Sequence, residues 1–557
     1  MSNLIVRGGT VVDGTGAPGR AADVRVRDGV IVEVAPGLAP DGEREVDARG
    51  AVVTPGLIDS HTHYDIEMFW DPTLDPLPVY GITTIVMGNC GLGIAPVSPE
   101  VREDIVDLLC FIEELPPVLS DISVPWGWSS WSEYAECACE QATAVQPFAY
   151  TAHNALRASV MGHEAWERAA TTEEVTAMAV LLDDALGAGA LGMSSNWFDT
   201  DRQRRLVPSR LSDAHELDAL LDVVARHRRA TFQVIARKKH DRRDALERSC
   251  SRGIRSLSLG DGVGGGKVEE GLATWYLGGG NEPFTPMLGF QTSIATAAIP
   301  PWHEMVNGPA EAKLATLMDP EWRARARAAW DDPLPEQNAF HRDALDQVIL
   351  TDSETGTGPT GISLASLAVE RDQHPSDALA DWVLANGIGS RYLKQNSTAV
   401  PMTDDDRRAQ VVHDAANPHA LMGGTDAGAH LTMFCGAGSN LHLITHWARD
   451  DGALSLEQAV HCLTQRSADF FGLTDRGIVA RGRRGDLAVF ALDELETRDL
   501  ERRYDLPEGG YRLTRPSAGF RAVAVAGELT VSDGETTGAR PTRFGSLADV
   551  AARRGKS

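Results

Sequence analysis

The chain has 557 residues, 43% of them hydrophobic and 24% charged. That balance supports a sizeable core, excludes a disordered chain, and suits two to four ordinary domains or one large α/β barrel with an accessory domain. Its 79 Asp and Glu outnumber its 52 Lys and Arg, for a formal charge of −27, and a field of that sign argues against nucleic acid or a membrane surface as the main partner. No apolar run approaches the roughly 20 residues of a membrane span. The first residues, Met1-Ser2-Asn3-Leu4-Ile5-Val6-Arg7, lack the basic-then-apolar pattern of a signal peptide. Seven scattered cysteines show no framework spacing, so reduced thiols and a cytoplasmic location are expected.

Residues 4–14 and 23–34 alternate apolar and polar side chains around Asp-Gly turns and read as short antiparallel strands. The same texture returns at 486–491 and 522–531. The two ends of the chain are therefore expected to pair into one small β-sandwich, with residues 536–557 as a polar, partly disordered tail. Between them, short apolar strands alternate with helical patterns, the signature of βα units. Eight strands are predicted at 57–63, 82–89, 148–153, 190–195, 230–235, 254–259, 287–290 and 420–425. Helices are predicted at 172–186 and 213–227, with Thr or Ser at their N-caps. The expected fold is α/β: a (β/α)₈ TIM-like barrel over 57–477, flanked by sandwich segments 1–56 and 478–535.

Active sites of such barrels lie at the C-terminal ends of the strands, and the chemically telling residues fall there. Pro55-Gly56-Leu57-Ile58-Asp59-Ser60-His61-Thr62-His63 sends two imidazoles, two positions apart, off one face of the first strand. A pair of nitrogen ligands suits a divalent transition metal. The second strand ends in Gly88-Asn89-Cys90-Gly91, and a thiolate beside a cation is a good soft ligand. The last strand runs into Gly423-Gly424-Thr425-Asp426-Ala427-Gly428-Ala429-His430. Asp426 is placed there to take a proton from an attacking water and return it to a leaving amine. His153, His430, Ser195, Asn196 and Gln233 are weaker candidates for substrate contact.

Two further features are less specific. The aromatic run 125–131 either lines a pocket or pins a loop to the core. The glycine-rich run 260–267 fails the phosphate-loop spacing and reads as a mobile loop or lid. No Gly-x-Ser-x-Gly elbow supports a serine hydrolase.

The His-x-His run, the Gly-Asn-Cys-Gly and the Thr-Asp-Ala-Gly-Ala-His together resemble the amidohydrolase superfamily, and within it the D-aminoacylase (N-acyl-D-amino-acid deacylase) branch. The resemblance covers most of the chain. It implies metal-dependent hydrolysis of a C–N bond in a small N-acylated substrate. His61 and His63 would bind one metal position, Cys90 would bind or bridge, and Asp426 would be both ligand and general base and acid. The family supplies two more metal histidines, ending strands five and six. Gln233 and Ser258 stand at those positions, and the Lys that meets the substrate carboxylate in the family is missing. One Zn²⁺ is therefore favoured over two. His153, His240 or His430 completing the set is the second possibility. A hydantoin- or lactam-like hydrolase and a metal-poor, non-hydrolytic binding barrel are the alternatives. A homo-oligomer is left open.

Overall fold

The computed structural model describes residues 3–116, 118–236, 238–259, 271–282, 287–289, 300–306, 308–332, 345–394, 403–507 and 510–554. The glycine-rich run 260–267 lies outside the described residues, apart from its flanks. The two ends of the chain do share one sheet. Leu4–Val11, Arg20–Arg27, Val30–Ala35, Arg44–Asp47 and Val52–Pro55 join Leu487–Phe490, Phe520–Val525, Glu528–Ser532 and Glu535–Thr536 in a continuous nine-stranded ladder. Its seam is the antiparallel pairing of Val52–Pro55 with Leu487–Phe490. Alternate residues fill a separate apolar cluster, with Leu4, Val6, Val24, Val26 and Ile31 packed on Leu487, Val489, Ala524 and Leu529.

The middle of the chain carries the parallel strands. Leu57–Asp59, Ile82–Met87 and Gln146–Ala149 pair in parallel. Thr151–Ala152, which continues Gln146–Ala149 past Tyr150 and counts with it as the third strand, is followed in the order by Gly192–Trp197, Thr231–Ala236, Arg255–Leu259, Trp275–Leu277 and Ala420–Leu421. A parallel bridge between Thr62 and Ala427 sets the last strand beside the first. The predicted helices form as Thr172–Ala188 and Ala214–Arg226. The first carries a full capping box of Thr171 and Glu174, and the second is capped by Asp213.

One expectation is corrected. The seventh strand of the parallel order is Trp275–Leu277, not 287–290. Met287–Gly289 instead pairs antiparallel with Arg391–Lys394, in a four-stranded sheet that also holds Val348–Asp352 and Ile362–Ser363. This insertion has its own core of Trp302, Trp322, Trp330, Trp382 and Tyr392, which reaches Met433 and Phe434. Part of the tail, expected to be partly disordered, takes up regular structure. Thr542–Arg543 pairs with Ala142–Thr143, and Leu547–Arg554 is helical. Phe544 is what anchors it, buried against Trp131 and Tyr134 at ring distances of 5.8 and 5.4 Å.

Candidate active site

The first strand ends at Asp59 and the chain bends at Ser60 and His61, after which Thr62 and His63 pair with the last strand's exit. Asp426 N–H donates to the His61 carbonyl at 2.9 Å, and His63 N–H donates to the Ala427 carbonyl at 2.8 Å. Asp59 braces both segments by accepting from the N–H groups of His61 and Thr425 at 3.2 and 3.1 Å. The two imidazoles consequently meet the Asp426 carboxyl. His61 Nε2 lies 3.2 Å from His63 Nε2, 3.4 Å from Cys90 Sγ and 3.2 Å from Asp426 Oδ1. His63 Nε2 lies 3.1 Å from the same Oδ1. Cys90, Asp426 and His430 all adopt left-handed backbone, with φ of 54°, 62° and 50°. Non-glycine residues hold that conformation at a cost of order 1–3 kcal/mol, and only where the surroundings over-determine it.

What over-determines Cys90 is a set of polar side chains from neighbouring strands. Gln233 Oε1 accepts from Cys90 N–H at 2.9 Å, while its amide donates to Asn89 Oδ1 at 2.7 Å. Asn196 donates to the Cys90 carbonyl at 2.8 Å, and Ser194 Oγ accepts from Gly91 N–H at 3.1 Å. Gly91 itself has φ 65°, and a Cβ there would stand 2.8 Å from the Asn196 nitrogen. No larger residue fits that turn.

These side chains open onto a cavity of about 190 Å³, with His61, His63, Cys90, Glu113, Asp199, Asp426 and His430 among its lining. Leu92, Ile112, Phe198, Ile235, Leu259 and Leu277 supply the apolar wall. Burial pushes the Asp426 carboxyl up, but hydrogen bonds to His61 and His63, with their charges, outweigh it and hold it well below the usual carboxylate range. Burial raises the Cys90 thiol, helped by the charges of Asp426 and Glu113. Burial also pushes Glu113 up, with the Asp426 charge adding to it, and lowers His430 to about 4.

His61, His63, Cys90 and Asp426 thus lie side by side, and His430 lines the same cavity. The other four sequence candidates do not line the cavity. His153 is sealed in a polar network, its Nδ1 2.9 Å from Ser195 Oγ and its Nε2 2.7 Å from Glu216, which also meets Arg157. Asn196 and Gln233 hold the Cys90 loop rather than face the cavity. His240 is exposed and pairs with Asp241. Ser258 is fully buried, with no hydrogen-bond partner for its hydroxyl among the described residues. The aromatic run pins a loop: Trp128 donates to the Ile94 carbonyl and stacks near Phe69 and Tyr134. Sequence reading missed Glu113, Asp199 and Phe198. A clue to Glu113 was available, since Glu113-Glu114 directly follows the apolar end of helix Arg102–Ile112.

An amidohydrolase-family model matches residues 44–249 and 413–537. The chain belongs to that family and is a hydrolase of amide C–N bonds. It is 31% identical to an uncharacterised protein of Mycobacterium tuberculosis, over 96% of this chain and 93% of the relative. It is 28% identical to the N-acyl-D-aspartate deacylase of Alcaligenes xylosoxydans xylosoxydans, over 97% and 94%. A solved D-aminoacylase, studied for one-metal activation and second-metal attenuation at its binuclear centre, superposes with a TM-score of 0.63 at 24% identity, covering 98% of this chain and 99% of that one.

Proposed function

We propose that the chain hydrolyses the amide bond of an N-acyl-D-amino acid or a related N-acylated small molecule, using one divalent metal, zinc by its ligand set. The observation that carries this reading is that His61, His63 and Cys90 offer ligand atoms within 4.8 Å of one another, with Asp426 Oδ1 3.1 to 3.2 Å from both imidazoles, in a largely apolar cavity. Their contacts of 3.1–3.4 Å approach the separations of about 3.3–3.8 Å that ligands at ordinary Zn–N and Zn–S lengths keep around a tetrahedral ion. His61, His63, Cys90 and Asp426 therefore fit the group. The single ion is favoured because Gln233 commits its amide to the Cys90 loop and Ser258 offers only a neutral hydroxyl, a poor ligand for zinc. The eight parallel strands are read as a closed (β/α)₈ barrel, supported by the Thr62–Ala427 bridge. The nine-stranded sheet is read as curling into a sandwich of segments 1–56 and 478–535. All seven cysteines are unpaired, which suits the cytoplasm.

When bound, the cation supplies a Lewis acid and lowers the pKa of a water toward neutrality. The chain's own part begins with the cavity, whose Leu, Ile and Phe wall excludes bulk water and strengthens each polar contact inside. Asp426, held as a carboxylate by the two imidazoles, accepts the proton of the attacking water. It then delivers that proton to the departing amide nitrogen, which leaves as the amine. Gln233, Asn196 and Ser194 keep Cys90 in place throughout.

Elemental analysis of the purified protein, with a panel of N-acyl-D-amino acids, their L-isomers and cyclic amides, tests the reading. About one equivalent of zinc and chelator-sensitive release of a D-amino acid are expected. A metal-free protein that cleaves none of the linear amides would overturn it.

A further inference from the structure

Helix Arg102–Ile112 packs Ile105, Leu108, Leu109, Phe111 and Ile112 inward and ends at the cavity wall with Glu113. The backbone fixes that end firmly, since Glu113 N–H donates to the Leu109 carbonyl at 2.9 Å and His430 N–H donates to the Glu113 carbonyl at 2.6 Å. The Glu113 side chain is 3% exposed. Its Oε1 sits 3.2 Å from His63 Nδ1, on the far side of the ring from Asp426 and His61, and its Oε2 sits 3.7 Å from His430 Nε2. Neither His63 Nδ1 nor Glu113 Oε2 has any aligned hydrogen-bond partner among the described residues. Each side chain thus keeps a buried polar atom without an aligned partner, a costly arrangement unless the imidazole and the carboxyl serve one another.

An imidazole that gives its Nε2 lone pair to a cation must carry its proton on Nδ1, and a carboxylate acceptor there fixes both tautomer and ring orientation. Resting on the metal reading above, we propose that Glu113 is the positioning residue for His63: it accepts a hydrogen bond from Nδ1–H and aims Nε2 at the metal position. The neighbouring carboxyl has a different task. Glu114 accepts from Thr432 Oγ1 at 2.9 Å, so the pair separates a positioning group from a structural one within two consecutive residues.

The test is zinc affinity by chelator competition on the full chain, with the His63 ring followed by nitrogen and proton NMR in the zinc-loaded protein. Glu113→Ala is expected to weaken zinc about 10–100-fold, the usual cost of losing such a partner. Glu113→Gln, which keeps shape and an acceptor oxygen but loses the charge, falls at about 10-fold. The wild-type protein shows a His63 Nδ1–H signal protected from exchange. Glu113→Gln shifts it, Glu113→Ala loses it, and Glu114→Gln changes neither the signal nor the affinity. Unchanged zinc affinity and an unmoved Nδ1–H signal in Glu113→Gln would overturn the proposal even if Glu113→Ala failed to fold. So would equal losses in the Glu113 and Glu114 variants. A wild-type chain that takes up no zinc removes the metal reading and this assignment with it, whereas zinc uptake insensitive to Glu113 removes this assignment alone.

Discussion

Asp426 shows how much one residue depends on its neighbours. In isolation it is a short acid before Ala-Gly, which suits a turn as well as a catalyst. Two imidazoles 3.1–3.2 Å from Oδ1 and a backbone pairing to His61 make it a largely enclosed carboxylate lining the cavity. Asp426→Asn keeps the shape and removes the proton acceptor, so kcat is expected to fall by roughly 10²–10⁴ while zinc remains bound, checked by steady-state rates and metal content on one preparation. Gln233 teaches the converse. Restoring the family residue by Gln233→His would leave the Cys90 N–H without its acceptor, and an orphaned buried donor costs about 1–3 kcal/mol. Urea unfolding should show that loss, and elemental analysis should show no second equivalent of metal. His61, His63, Cys90 and Asp426 were legible because each ends a strand. His153 directly follows a strand and Ser195 lies near the end of one, yet they are spent on Glu216 and on each other. No spacing rule distinguishes a strand-end His with a buried acid behind it from one with a cavity in front.

Among the elements, the parallel strands were legible where they are long and β-branched, as in Ile82–Met87, and misread where they are short. Trp275–Leu277 has three residues and follows a glycine-rich stretch, so its apolar signal is weaker than that of the 287–290 run, which belongs to the insertion. The segment Leu443–Asp450 forms a π-helix, a form no periodicity argument at 3.6 residues anticipates. At its start His442 stacks on His446 at 4.5 Å, and burial, with the His446 and Arg515 charges, lowers its pKa to about 4 from 6.5. The folded ring is thus neutral where the unfolded one begins to charge. Its contribution to stability is complete above pH 6.5 and is lost as pH falls toward 4. The urea midpoint should decline through that window, and His442→Asn should flatten the decline; an equally steep decline in the variant would contradict the assignment.

Across the whole molecule, distant segments are tied by buried polar and aromatic links. Arg476, almost fully buried, donates to Thr84 Oγ1 and Gln146 Oε1 at 2.8 and 2.9 Å and pairs with Asp475 and Asp486, joining the parallel strands to the nine-stranded sheet. The tail is joined by Phe544. Phe544→Ala should cost about 3–5 kcal/mol in urea unfolding, where a disordered tail would show no change. Among the described residues no helix is long and apolar enough to cross a membrane.

The alternation of the terminal strands, the order of the central ones and the four side chains at their ends follow from local chemistry: periodicity of two, turn residues, and ligand types placed at strand exits. These are properties of short stretches, and a sequence displays them directly. Which acid faces His63, which polar group holds Cys90, and whether residues 542–544 dock were decided by contacts between segments up to about four hundred residues apart. Such contacts arise from packing geometry, which leaves no periodic trace along the chain.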